Sequence, residues 1–153
     1  MKKTELFKNP INRIKMTVPS LSINEGIMRS VVASFCLHFT PTATEIADIK
    51  CAVSEAVTNC IVHAYKNSVG MIYITIEAFS DSVVKIIVRD KGCGISDVKQ
   101  ARQPLFTTDA QNERSGLGFT VMESFMDGLS VRSKEGKGTT VTMFKRIGTE
   151  PRR

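Results

Sequence analysis

The chain of 153 residues has no tryptophan, only two tyrosines and only two histidines, His38 and His63. Its four cysteines, Cys36, Cys51, Cys60 and Cys93, stand 15, 9 and 33 positions apart, so no pair has C-x-x-C or metal-ligand spacing. That spacing disfavours a zinc site or a disulfide framework, and buried reduced thiols are the expectation. No apolar run approaches the roughly 18 residues of a membrane-spanning helix. The polar start Met1-Lys2-Lys3-Thr4-Glu5 leads into no signal-peptide core, so a cytoplasmic protein without membrane contact is expected. Neither G-x-x-x-x-G-K-[ST] nor G-x-G-x-x-G occurs, which removes the P-loop and the dinucleotide fingerprint. Internal repeats and low-complexity tracts are also missing.

What remains is the composition of one soluble globular domain: 42% hydrophobic residues, 24% charged residues and a mean hydropathy of −0.04. The net charge of +6 is uneven along the chain. Residues 1–16 carry +4 and residues 145–153 carry +3, leaving −1 for the 128 residues between. The basic excess is therefore assigned to the ends, read as solvated tails at 1–12 and 147–153 flanking a domain at 13–146. A nucleic-acid-binding protein is disfavoured, because such a domain carries its basic stripe on the folded face.

Ile14, Met16 and Val18 alternate with polar residues and predict a first strand stopped by Pro19. Ser22 and Glu25 have capping-box spacing ahead of a helix to Phe39. Its apolar spacing puts Ile27, Val31, Val32 and Phe35 toward the core and Arg29 on the outer side, as a candidate partner contact. Thr42 and Glu45 repeat the capping box and open a long helix through Tyr65. Met71–Phe79 and Val83–Arg89 read as a hairpin. Residues 90–118 are glycine-rich with a short helix at Asp97–Arg102, and so long a loop is usually functional. A third helix at Leu117–Met126 and strands at Leu129–Ser133 and Thr139–Lys145 complete an α+β sandwich. The expected product is a two-layer arrangement, with a mixed, mainly antiparallel sheet covered on one face by helices.

Four motifs carry chemistry. Glu55 and Asn59 lie four apart on the half-buried face of the long helix, where a carboxylate beside an amide oxygen suits a hard cation and a proton acceptor. Alone, the pair also fits an exposed polar face. Asp90-Lys91-Gly92-Cys93-Gly94 leaves a strand, placing an acceptor for an exocyclic amine next to glycines that let a flat ring approach. Arg114-Ser115-Gly116-Leu117-Gly118 opens a helix whose N–H groups can meet an anion. Gly136-Lys137-Gly138-Thr139-Thr140 lies between two strands and reads by itself as a turn.

In this order, E-x-x-x-N, D-x-G-x-G, G-x-G and G-T-T resemble the nucleotide-binding boxes of the GHKL ATPase superfamily, whose site is the Bergerat fold. Ser54–Asn59, Ala101–Thr108 and Glu113–Phe119 are similar to the bacterial anti-sigma factor kinases of the sporulation, sigma-F type, over residues 13–147. The resemblance implies a homodimer that binds a sporulation sigma factor and, using ATP and Mg²⁺, phosphorylates a serine on an anti-anti-sigma protein. It implies Glu55 as general base, Asn59 as Mg²⁺ ligand, and Asp90 as the reader of adenine, helped by Gly92, Gly94 and Thr139. Ser115, Gly116, Leu117 and Gly118 would hold the phosphates, and Phe106-Thr107-Thr108 through Ser115 would form a lid over ATP or ADP. Arg114, the nearest cation in the motif, is added either as a γ-phosphate contact or as a lid salt-bridge residue. The alternatives are a stress-response kinase of the anti-sigma-B type and an anti-sigma module that binds nucleotide without kinase activity. The departures from the family are the longer basic amino-terminal segment and Cys93 within the second box.

Overall fold

Alternating side chains lay down the sheet. In the computed structural model, which describes residues 9–104 and 118–148, Ile14, Met16 and Val18 of β1 (Asn12–Pro19) face Ile76, Ile74 and Ile72 of β2 (Met71–Ala78). β3 (Val83–Asp90), β4 (Gly128–Lys134) and β5 (Gly138–Arg146) complete a sheet of order β1-β2-β3-β5-β4. All four pairings are antiparallel, so the parallel element of a mixed sheet is absent among the described residues. The crossover from β3 does deliver β4 in the same direction, but the β4–β5 hairpin folds back and inserts β5 between them.

The register puts Ile72, Ile74, Ile76, Val84, Ile86, Val88 and Met143 on one face, each at most 1% exposed. Three helices cover that face: α1 (Ser22–Cys36), α2 (Ala43–Asn59) and, after the short α3 (Val98–Ala101), α4 (Gly118–Phe125). α2 lies between α1 and α4 and buries Ile49, Ala52, Val53, Ala56 and Val57 against the sheet. Burial of these aliphatic side chains is the main stabilising term, at about 1.5–3 kcal/mol per large side chain. No described helix is long and apolar enough to cross a membrane.

Several expectations are corrected at the ends of elements. The second capping box forms, with Thr42 Oγ1 accepting from Glu45 N at 3.1 Å and Glu45 Oε2 accepting from Thr42 N at 2.8 Å. The first does not: Leu21 is the N-cap of α1 without a side-chain hydrogen bond, and Glu25 pairs instead with Arg29 at 3.3 Å. α1 presents Met28, Val32 and Cys36 to the core, while Ile27, expected inside, is 48% exposed. The long helix stops at Asn59 and continues as a π-helical turn, Cys60–Ala64, rather than running regularly to Tyr65. Of the four thiols, Cys36 and Cys60 are buried but Cys51 and Cys93 are exposed. Burial pushes the Cys36 thiol up to about 12.

The ends are also more ordered than solvated tails would be. Arg13 and Lys15 belong to β1, and Lys145 and Arg146 to β5. Ile147 is 4% exposed, and the N–H of Gly148 donates to Glu45 Oε1 at 2.8 Å. Lys145 Nζ reaches under α4 to the Phe125 carbonyl at 2.8 Å and to Asp48 at 3.4 Å.

Thr42→Ala should cost about 1 kcal/mol through loss of the cap, whereas Ser22→Ala should leave stability unchanged. Urea denaturation of the two variants compares them directly. Equal losses would mean that both capping boxes form in solution.

Candidate nucleotide site

β3 ends in a carboxylate that cannot reach bulk water. Asp90 is 5% exposed, and its Oδ1 accepts from Gly92 N at 2.9 Å and Thr139 N at 3.2 Å. Oδ2 faces the Cys60 thiol, which donates to it at 3.6 Å and to the Ala56 carbonyl at 3.4 Å. Burial pushes the Asp90 carboxyl up from its ordinary value, and the three donors offset this only in part.

The glycines around Asp90 are there because backbone comes too close for side chains. Gly138 has φ +91° and lies against the Asp90 carbonyl, while Gly94 has φ +72° against the Lys134 carbonyl. Both conformations and both close approaches exclude a Cβ. Gly92 rests on Ala64 at the end of the π-turn. As one of the last carbonyls of the helix, Ala64 O has no partner within it and accepts from Cys93 N at 3.0 Å, which docks the D-x-G-x-G loop onto the helix layer.

The other half of the site is on the same helix. Glu55 and Asn59 are half-buried on one side of α2, and Gly118 opens α4 directly opposite them. A Cβ placed on Gly118 would lie 3.2 Å from Glu55 Oε2 and 3.5 Å from both amide atoms of Asn59. The G-x-G and E-x-x-x-N motifs therefore meet, and Asn59 and Cys60, adjacent in sequence, connect that oxygen-rich corner to the Asp90 pocket. The donors beside Gly118 are oxygens, the set a hard cation such as Mg²⁺ prefers. Thr107, Thr108, Arg114, Ser115, Gly116 and Leu117 lie outside the described residues. Arg29 is apart from both halves, on α1. It is paired with Glu25, with Ser54 Oγ at 3.5 Å.

Three residues with structural roles here had no signal in the motifs. Tyr65 Oη donates to the Met71 carbonyl at 2.6 Å and accepts from Lys91 N at 2.7 Å, pinning the loop after Asp90. Ser133 Oγ accepts from Ile95 N at 2.7 Å, donates to the Gly138 carbonyl at 3.0 Å and meets Thr139 Oγ1 at 2.8 Å. Cys60 was legible only as part of an apolar stripe, and its thiol–carboxylate contact needed the fold.

The sheet, its helical cover and this paired site define a class. The family model for the Histidine kinase-like ATPase domain matches residues 19–145. The chain is 56% identical over 138 residues to the anti-sigma F factor of Caldanaerobacter subterraneus subsp. tengcongensis, covering 90% of this chain and 95% of the relative. It is 47% identical over 137 residues to the anti-sigma F factor of Bacillus subtilis (strain 168), covering 89% and 93%. The chain belongs to the anti-sigma F factor family of histidine kinase-like ATPase domains. Among solved structures, it resembles the RsbU and RsbW domains of Rv1364c from Mycobacterium tuberculosis at 22% identity and TM-score 0.67, covering 95% of this chain and 35% of that one. The mycobacterial sensor histidine kinase MprB matches at 14% identity and TM-score 0.56, covering 88% of this chain and 98% of that one. These two likenesses concern the fold.

Because the Asp90 carboxyl is held above its value in an unfolded chain, its ionisation weakens the folded state as pH rises through the folded pKa, and acidification relieves that cost. Asp90→Asn removes the ionisation. The variant should melt no lower than the parent at neutral pH and should lose this contribution to the pH dependence of stability. A variant that melts well below the parent at neutral pH would show that the ionised carboxylate is a net stabiliser.

Proposed function

We propose that this chain is an anti-sigma factor and an ATP- and Mg²⁺-dependent protein-serine kinase. It holds a sporulation sigma factor away from RNA polymerase and phosphorylates the anti-anti-sigma protein that competes for it. The observation that carries the reading is the convergence of Glu55, Asn59 and Gly118, because phosphoryl transfer needs a carboxylate, a hard-cation ligand and a close backbone approach at one place.

In this mechanism Asp90 Oδ2 accepts the exocyclic amine of adenine, since Oδ1 is already committed to two N–H donors. Gly92, Gly94 and Thr139 shape that pocket. Asn59 supplies an amide oxygen to Mg²⁺, which when bound neutralises phosphate charge. Glu55 takes the proton from the attacking serine hydroxyl. Ser115, Gly116, Leu117 and Gly118 cradle phosphates at the start of α4. Thr107 and Thr108 belong to the lid, with Arg114 directed to the γ-phosphate.

Partner binding is assigned to the outer side of α1 in a homodimer. The same helix exposes Ile23 and Ile27, one helical turn apart and 70% and 48% exposed, on a different side from Arg29. Exposed apolar side chains on the helix that carries the cation suit a protein partner. A kinase of the anti-sigma-B type would share the chemistry and differ in the sigma factor it holds.

Incubation with labelled ATP, Mg²⁺ and the anti-anti-sigma protein of the same genome should label one serine. Glu55→Gln should slow that labelling at least ~100-fold, the low end for loss of a general base, while ATP and sigma factor still bind. Near-normal labelling would remove Glu55 as the base, and loss of sigma binding as well would make it structural. Asp90→Asn should weaken ATP and ADP by about 1–3 kcal/mol in calorimetry, and unchanged affinity would place the adenine elsewhere. Arg29→Ala should weaken sigma binding with no change in melting temperature. Equal affinity in that variant would return Arg29 to an ordinary surface pair with Glu25.

A further inference from the structure

The near-zero charge of the central chain hides a separation that appears only when the sheet is assembled. Side chains pointing away from the helices include Arg13, Lys15, Lys85, Arg89, Arg132, Lys134 and Arg146, against one carboxylate, Glu77. On the covering helices the balance reverses: α1, α2 and α4 carry Glu25, Glu45, Asp48, Glu55 and Glu123 against Arg29 and Lys50.

Neutralisation on the sheet is confined to one end. Glu77 sits between Arg13 and Lys85 at 2.6 and 2.5 Å, and Arg146 meets Asp81 at 3.2 Å. Burial alone would raise the Glu77 carboxyl, but the Lys85 and Arg13 hydrogen bonds outweigh it and hold the carboxyl below its ordinary value. At the other end the row Thr17, Tyr73, Arg89, Thr140, Arg132 has no acid, and neither has the row Lys15, Thr75, Ile87, Thr142, Ser130. Arg89 and Arg132 flank Thr140 from adjacent strands and, with Lys134 and Lys137, line an open depression of about 550 Å³ whose remaining wall is Asp90, Ser133, Gly138 and Thr139. Among the described residues none of these four cations is in ion-pair contact with a carboxylate.

We propose that this end of the uncovered sheet face docks an acidic segment of a protein partner, on a surface that adjoins the Asp90 pocket and is distinct from the α1 face. Like charges held together on a rigid sheet repel one another, and a partner's carboxylates would relieve that repulsion. Two planar guanidinium groups either side of a threonine hydroxyl suit carboxylates in bidentate contact. A second copy of this chain would bring the same uncompensated cations to the interface. A nucleic acid would need a longer track of cations and free aromatic faces for its bases, whereas Tyr73 is capped by Lys91 at 5.0 Å.

The test uses the full chain and a fluorescein-labelled octaglutamate peptide, read by anisotropy at low salt. A double substitution, Arg132→Ser with Lys137→Ser, should weaken peptide binding about tenfold or more. Melting temperature should stay at the parental value, and peptide binding is read without nucleotide, which separates this result from any failure of the kinase reading. A tail variant, Lys2→Ser with Lys3→Ser, should bind the peptide within about twofold of the parent. Equal peptide binding by the parent and the Arg132/Lys137 variant, or loss confined to the tail variant, would overturn the proposal. Tighter binding of a labelled eight-thymidine strand, lost through the same two substitutions, would reassign the surface to nucleic acid. A parental dimer that the Arg132/Lys137 variant cannot form would reassign it to a second copy.

Discussion

A buried carboxylate at the end of β3 sets the geometry around it. An ionised Asp90 out of contact with bulk water needs donors, and the nearest are main-chain N–H groups of the loop that follows it and of the start of β5. Meeting that demand brings Gly138 against the Asp90 backbone. The ring-binding pocket and the β3–β5 junction are therefore one structure. The strain of a desolvated charge is kept where a ligand donor would relieve it, a common arrangement at functional sites.

α2 supplies the other constraint. Its inner side is aliphatic and its flank carries Glu55 and Asn59, so packing on the sheet fixes where those polar groups point. After Asn59 the π-helical turn carries Cys60 against Asp90, and the Ala64 carbonyl at its end holds the glycine-rich loop. One irregular turn thus ties the two halves of the site to a common support.

Much of this was readable in the sequence where the chemistry is local. Period-two alternation marked β1, β-rich runs marked β2 and β3, and the Thr42–Glu45 box marked the start of α2. The four motifs, taken in order, marked residues that the fold gathers at Asp90 and at Gly118. The failures share a cause, which is competition from partners that spacing alone does not rank. Glu25 had the right spacing to cap α1, but Arg29 offered it a charge-assisted contact. Ile27 matched the helical period, yet the sheet beneath α1 is reached by Met28, Val32 and Cys36. The charge count along the chain placed the basic excess at its ends, and linear position says nothing about which side of a sheet Arg13, Lys15 or Arg146 faces. Tyr65 and Ser133 act through hydrogen bonds to partners distant in sequence, which leave no periodic trace.

Glu45 joins Thr42 to Gly148 across 103 positions of sequence. The first turn of α2 is complete only when the chain beyond the last strand has arrived to donate its N–H. During synthesis, the helix bearing Glu55 and Asn59 can form early, but it stays unlatched until residue 148 has left the ribosome. A nascent chain stalled before β5 lacks both this latch and the Thr139 donor to Asp90, so both halves of the site are closed by the same late-arriving strand.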